Sequence, residues 1–261
     1  MAELRVAGIQ HHIAWEEPDQ NFDHLRPLID KAVGDGARLV ALTEMYSNGF
    51  SMNTGEIAEP VDGPSTEFLV DQATSHGVWV CGSVPEQPEG QRLPHNCLVL
   101  AAPDGSTQRY RKIHRVAYAG EDEHYEAGTE RVTTMIDGVR VSLFVCFDLR
   151  FAPDFWHVAR DTDLYVLVAN WPAARSTHWT TLLQARAIEN QAYMLGVNRV
   201  GDAGDGLAHS GDSRLFDPFG EVVAAAPADE AKARPIARPA VVAATEFAFA
   251  DGSTRLLQLV R

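Results

Sequence analysis

The positions of apolar and polar residues alternate between two periods along the chain. Leu4–Gln10 alternates in the manner of a strand, and Asn21–Val33 places Phe22, Leu25, Leu28, Ile29 and Val33 at helical spacing. Pro27 lies inside that stretch and predicts a kink or a late helix start. Arg38–Leu42 reads as a short apolar strand, Pro64–His76 as a helix closed by Gly77, and Val78–Val84 as strand. Two hairpins follow, one around Asp104-Gly105 between Asn96 and Arg111, the other joining Arg131–Ile136 to Val139–Cys146 through Asp137-Gly138. Beyond them come a short helix (Ala152–Arg160), a buried strand (Leu164–Ala169), a longer helix (Ser176–Gln191) and strands at Tyr193–Val200 and Ser210–Glu221. Solid apolar runs mark strands buried on both faces, and hairpins mark antiparallel neighbours. The pattern therefore predicts a mixed, layered α/β fold.

Composition narrows the classes of function. The chain has 261 residues, 45% hydrophobic and 22% charged, with neither a linker nor a repeat, which predicts one domain over 1–261. A net charge of −14 repels phosphate backbones and argues against nucleic acid. No apolar run is long enough to span a bilayer and the first residues form no leader pattern, so the expectation is a cytoplasmic protein without a membrane partner. Cys81, Cys97 and Cys146 show no metal-binding spacing and suggest free thiols. The pairs His11-His12 and His114/His124 lack a third partner at a ligand spacing, so neither a metal nor any other cofactor is expected.

Three polar residues stand at the ends of strand-like runs. Cys146 closes VRVSLFVC ahead of a helical segment, where donors converge on developing negative charge and a thiol can be activated. Glu44 ends RLVALTE, and Lys112 follows QRYR. Taken singly, each has an ordinary alternative: the end of an apolar strand, a loop acid, a solvated edge charge. Together they supply what thiol catalysis needs, namely a nucleophile, a base that later returns the proton, and fixed positive charge for an oxyanion.

At these segments the sequence resembles the nitrilase superfamily of carbon–nitrogen hydrolases, through LTEMYSNGF at Glu44, YRKIH at Lys112 and CFDLRF at Cys146. The resemblance runs from about Leu4 to about Val223. It implies a four-layer α-β-β-α sandwich, Cys146 as nucleophile, Glu44 as base and then acid, and Lys112 with the backbone N–H of Phe147 as oxyanion donors. A second glutamate of the family falls in GEDEHYEAG. Counting back from Gly128 selects Glu123, with Glu121 in reserve. The resemblance also implies a homodimer or higher homo-oligomer, with the Ala152–Arg160 helix in the interface. The tail from about 228 to 261, with its two prolines, departs from the family pattern and is a candidate for packing across that dimer.

Downstream, NWP and HSGDS resemble the omega-amidase branch, which hydrolyses small carboxylated amides such as 2-oxoglutaramate and 2-oxosuccinamate. A free carboxylate calls for a cation, and Arg175, after NWP, is the first candidate. Trp171, Tyr46 and Phe50 are the expected walls. Arg150 is expected to pair with Asp148, and His178 to serve packing at a helix start. The alternatives are an amidase of the same family acting on an N-carbamoyl amine, deaminated glutathione or a nitrile, and a non-catalytic binding subunit. The last is opposed by the presence of all three polar residues.

Overall fold

The computed structural model describes residues 3–226, residue 228 and, as backbone, the segments 234–235, 240–248 and 254–257. The chain begins β1 (Glu3–Gln10), α1 (Pro18–Gly34), β2 (Leu39–Ala41), α2 (Thr54–Ile57), β3 (Glu59–Pro60), α3 (Pro64–His76), β4 (Trp79–Gln87), β5 (His95–Ala101) and β6 (Thr107–Arg111). It continues with α4 (Glu121–His124), β7 (Val132–Ile136), β8 (Val139–Val145), α5 (Ala152–Val158), β9 (Leu164–Ala169) and α6 (Ser176–Asn190). Next come β10 (Tyr193–Asn198), β11 (Val200–Asp202), β12 (Ala208–Ser210), β13 (Arg214–Phe216) and β14 (Val222–Ala225).

In the first sheet β1, β2 and β4 run parallel, and β5 and β6 extend it antiparallel. The second sheet has the order β14-β13-β10-β9-β8-β7, with β8, β9 and β10 parallel at its centre. Period-two alternation sorts the first sheet's side chains. Leu4, Val6, Leu98 and Leu100 join the core shared with the second sheet, whereas Ile9, Cys97, Val99 and Ala101 meet Phe22, Leu25 and Ile29 of α1 and Phe68 and Leu69 of α3. On the other side α5 and α6 cover the second sheet through Phe155, Trp179, Leu183 and Ala187. The result is the expected α-β-β-α sandwich. Among the described residues no helix is long and apolar enough to cross a membrane.

Pro27 neither breaks nor delays α1, which starts at Pro18 and runs to Gly34. Pro27 and Asp23 both lie on the exposed face, so water can satisfy the Asp23 carbonyl that loses its donor. Helix α3 follows the predicted range, and its first turn is held by Glu59, which accepts from the backbone N–H (2.7 Å) and hydroxyl (2.5 Å) of Ser65. The strand expected over Ser210–Glu221 is divided instead. It breaks at residues 211–213, where Gly211 has φ +75° and is pressed against the Gln10 side chain, which leaves no room for a Cβ. The side-chain packing of the tail, and with it the expectation of a cross-dimer contact, lies outside the described residues. Its backbone at Ala240–Ala248 pairs antiparallel with β1.

Candidate active site

Glu44, Cys146 and Asn170 stand just beyond the C-terminal ends of three strands, β2, β8 and β9, that each run parallel to a neighbour, and Lys112 directly follows β6. Stacking the two sheets brings these ends together, the place where α/β sheets open to ligands. The Cys146 backbone is left-handed, with φ +46°, an uncommon conformation for a residue with a Cβ. Asp148 braces the turn. Its carboxylate accepts from Val145 N (3.0 Å), His114 N (2.9 Å) and the Tyr110 hydroxyl (2.7 Å), tying the strand end to the neighbouring sheet. Burial pushes Asp148 up to about 6.

The structure gathers Lys112 and two glutamates into a fully buried cluster. The Lys112 ammonium donates to Glu44 Oε1 at 3.0 Å and to Glu121 Oε1 and Oε2 at 2.8 and 2.9 Å. Burial alone would discharge this lysine, but the two carboxylates outweigh it and hold its pKa above the ordinary value. Glu121 also accepts from Val116 N at 2.7 Å. Glu123, selected by counting from Gly128, points to solvent on the same short helix. The four residues of α4 turn Glu121 toward Lys112 and Glu123 away, an orientation that residue counting does not capture.

Cys146 Sγ lies 3.9 Å from the Asn170 carbonyl oxygen, its donor geometry pointing there. Burial pushes the thiol well above its ordinary range; the charge of Glu44 adds to this and Lys112 opposes it. The resting sulfur is therefore a protonated thiol with a carboxylate beside it, and becomes a nucleophile only by giving up that proton. Two asparagines absent from the sequence-based candidates hold Glu44. Asn96 Nδ2 donates to its Oε1 at 2.8 Å; Asn170 donates from its backbone N to Oε2 (2.7 Å) and from Nδ2 to the Glu44 carbonyl (2.6 Å). The signal in the sequence for Asn96 is a polar residue directly before the apolar run CLVLA, and for Asn170 its place in NWP directly after the apolar run LYVLVA.

A cavity open to solvent at its mouth reaches Cys146. Phe50, Phe147, Trp171 and Arg175 line it, as does Arg150. The Arg150 guanidinium lies over Trp171, 4.8 Å from the ring centroid, and meets His178 Nδ1 at 3.1 Å. The expected Arg150–Asp148 pair does not form, because Asp148 is already occupied by the turn and Tyr110. The Arg175 guanidinium sits 5.5 Å from the centroid of Tyr118, a half-exposed position on the wall. Tyr46 is no part of the cavity: it packs with Phe22 and Phe68 under the outer helices, and its hydroxyl donates to the Ser65 carbonyl. His209, also unanticipated, lies on the wall and is pushed down to about 4 by burial and by the charge of Arg199, so its imidazole is neutral at pH 7. Among the described residues no three His, Cys, Asp or Glu side chains are grouped as a metal site.

A profile of the family described as carbon-nitrogen hydrolase matches residues 5–242. The chain is 39% identical to an omega-amidase YafV of Yersinia enterocolitica over 227 residues, 87% of this chain and 86% of that one. It is 30% identical to the 2-oxoglutaramate amidase of Bacillus subtilis, with 84% and 85% covered. Among solved structures, XC1258 of Xanthomonas campestris, described as a CN-hydrolase superfamily protein with an arsenic adduct in its active site, superposes with a TM-score of 0.83 at 36% identity, covering 91% of both chains.

Proposed function

This chain belongs to the carbon–nitrogen hydrolase family, and from that membership we propose that it is an omega-amidase, releasing ammonia from a small carboxylated amide such as 2-oxoglutaramate. The observation that carries the substrate class is the cavity wall: two guanidinium groups, Arg150 and Arg175, flank a channel that ends at the Cys146 thiol. A guanidinium fork binds a carboxylate in bidentate fashion, and each guanidinium stands near an aromatic ring, Arg150 by Trp171 and Arg175 by Tyr118.

In the proposed reaction Glu44 takes the thiol proton and Cys146 attacks the amide carbon. The carbonyl oxygen becomes an oxyanion held by the Phe147 N–H and Lys112. Among the described residues Lys112 donates only to carboxylates; once Glu44 carries a proton its oxygen is a weaker acceptor, and an N–H of Lys112 is free to turn to the oxyanion. Glu44 then gives its proton to the departing nitrogen, so ammonia leaves and a thioester remains. Water, deprotonated by Glu44, attacks the thioester, and the carboxylic acid and thiol are regenerated. Glu121 keeps Lys112 charged and in place throughout.

The exposed Trp156 on α5 and Ile188 on α6, with Phe219 in the β13–β14 turn, give the outer helix layer an apolar face suited to a homodimer in a cytoplasmic enzyme. The test of function is ammonia release from 2-oxoglutaramate, glutamine and a simple nitrile. Rapid turnover of the first alone supports the reading, and equal or greater turnover of either other compound removes it.

A further inference from the structure

The Asn96 side chain stands between two carboxylates. One amide nitrogen donates both of its hydrogens, to Glu44 Oε1 at 2.8 Å and to Glu121 Oε1 at 3.2 Å, while Asn96 is almost completely buried. Its backbone carbonyl accepts from Lys112 N at 2.9 Å, so this residue touches all three charged members of the cluster. The amide cannot serve in the opposite orientation, since a flip would aim Oδ1 at two anionic oxygens. In the observed orientation Oδ1 is sealed from solvent and has no hydrogen-bond partner among the described residues. A buried acceptor without a partner is unfavourable. The arrangement thus favours the two donated bonds over full satisfaction of the amide.

The reason lies in the charges. Glu44 and Glu121 share one ammonium, leaving a surplus negative charge out of water, which further hydrogen-bond donors stabilise. Lys112 from the end of β6, Glu121 from α4, Cys146 from the turn after β8 and Tyr125 behind α4 are the titratable groups that face Glu44. Among the described residues, Asn96 is the neutral side chain that donates to both carboxylates.

We infer that Asn96 is a positioning residue for hydrolysis: its side-chain amide bridges Glu44 and Glu121, which stabilises the charge of the pair and holds Glu44 turned toward Cys146. This rests on the reading of Glu44 as the base. Asn96 touches neither thiol nor substrate and acts through Glu44.

Asn96→Ala and the milder Asn96→Ser, which keeps one small donor, test it. Two pH profiles are compared with the unsubstituted protein: kcat/KM for 2-oxoglutaramate, and the rate of Cys146 alkylation by iodoacetamide. The second needs no substrate, so it stands even where the amide proves to be a different one. Cys81 and Cys97 are sealed from solvent and stand outside the cavity lining, whereas Cys146 lines the cavity, so Cys146 is the thiol that reports. For Asn96→Ala the acid limb of both profiles is expected to move toward neutral pH by about one unit, with kcat reduced roughly tenfold and KM little changed. Asn96→Ser should fall between. An acid limb left in place in either folded variant overturns the proposal, however far activity falls, because loss of packing alone lowers the rate without moving the limb. Full activity in Glu44→Gln would instead remove the reading of the base.

Discussion

Lys112 is bound more fully to Glu121 than to Glu44: its ammonium reaches both oxygens of the first, at 2.8 and 2.9 Å, and one oxygen of the second, at 3.0 Å. Glu121 also holds Val116 N. This asymmetry separates two acids that look alike in the sequence. One is saturated and anchors the cation, while the other keeps a looser tie and adjoins the thiol. Glu121→Gln is therefore expected to lower kcat about tenfold or more, as for loss of a hydrogen bond to a charged group. Glu123→Gln, on the solvent side, should stay within about twofold. Steady-state kinetics of the two variants decides between them.

Removing the lysine has a second consequence besides catalysis. Lys112→Ala takes away an oxyanion donor, with an expected loss of about 10²–10³ in kcat. It also leaves two buried carboxylates without their cation, which should lower stability by about 3–5 kcal/mol at neutral pH. Denaturant melts at pH 7 check this; a variant as stable as the unsubstituted protein would contradict the buried cluster.

The thiol itself gives the plainest test. Cys146→Ala should be inactive, and iodoacetamide should inactivate the unsubstituted protein unless a competing substrate occupies the cavity. Residual turnover in Cys146→Ala would dismiss the mechanism.

The guanidinium wall makes a prediction about selectivity. Arg150→Ala should raise KM for 2-oxoglutaramate by about 10–100-fold, the weight of a charge-assisted hydrogen bond, and leave a simple uncharged amide almost unaffected. Arg175→Ala should act in the same sense. If neither variant shifts the ratio between the two substrates, the carboxylate is bound elsewhere.

Asp148 contributes a pH dependence of unusual sign. Its folded value, about 6, lies above the ordinary 3.8, so the native state holds a proton that the unfolded chain has lost between those two values. Stability from this group is full below pH 3.8 and declines as the pH rises through about 6. Asp148→Asn should flatten that part of the Tm profile between pH 4 and 7, as thermal melts would show.

Much of this was legible in the sequence because strand and helix periods are local. The α3 range and the β9 range follow directly from apolar spacing and flanking glycine or proline. Glu44 and Cys146 were visible because each ends an apolar run, and Lys112 because it follows the strand-like QRYR. The misplaced parts depend on three-dimensional neighbours. Tyr46 lies two residues beyond Glu44, yet its ring turns into the layer under α1 and α3. Arg150 was assigned to Asp148, but Asp148 had already been taken by Tyr110 from the other sheet. Asn96 and Asn170 gain meaning only when two sheets meet, since their partner Glu44 is 52 and 126 positions away.

The left-handed backbone at Cys146 has an evolutionary corollary. A side chain in that conformation costs about 1–2 kcal/mol relative to glycine, so the position favours glycine for stability and cysteine for chemistry. Cys146→Gly should thus give a backbone more at ease and an inert protein. Selection for robustness alone would drift toward that substitution, and only continued demand for turnover opposes it.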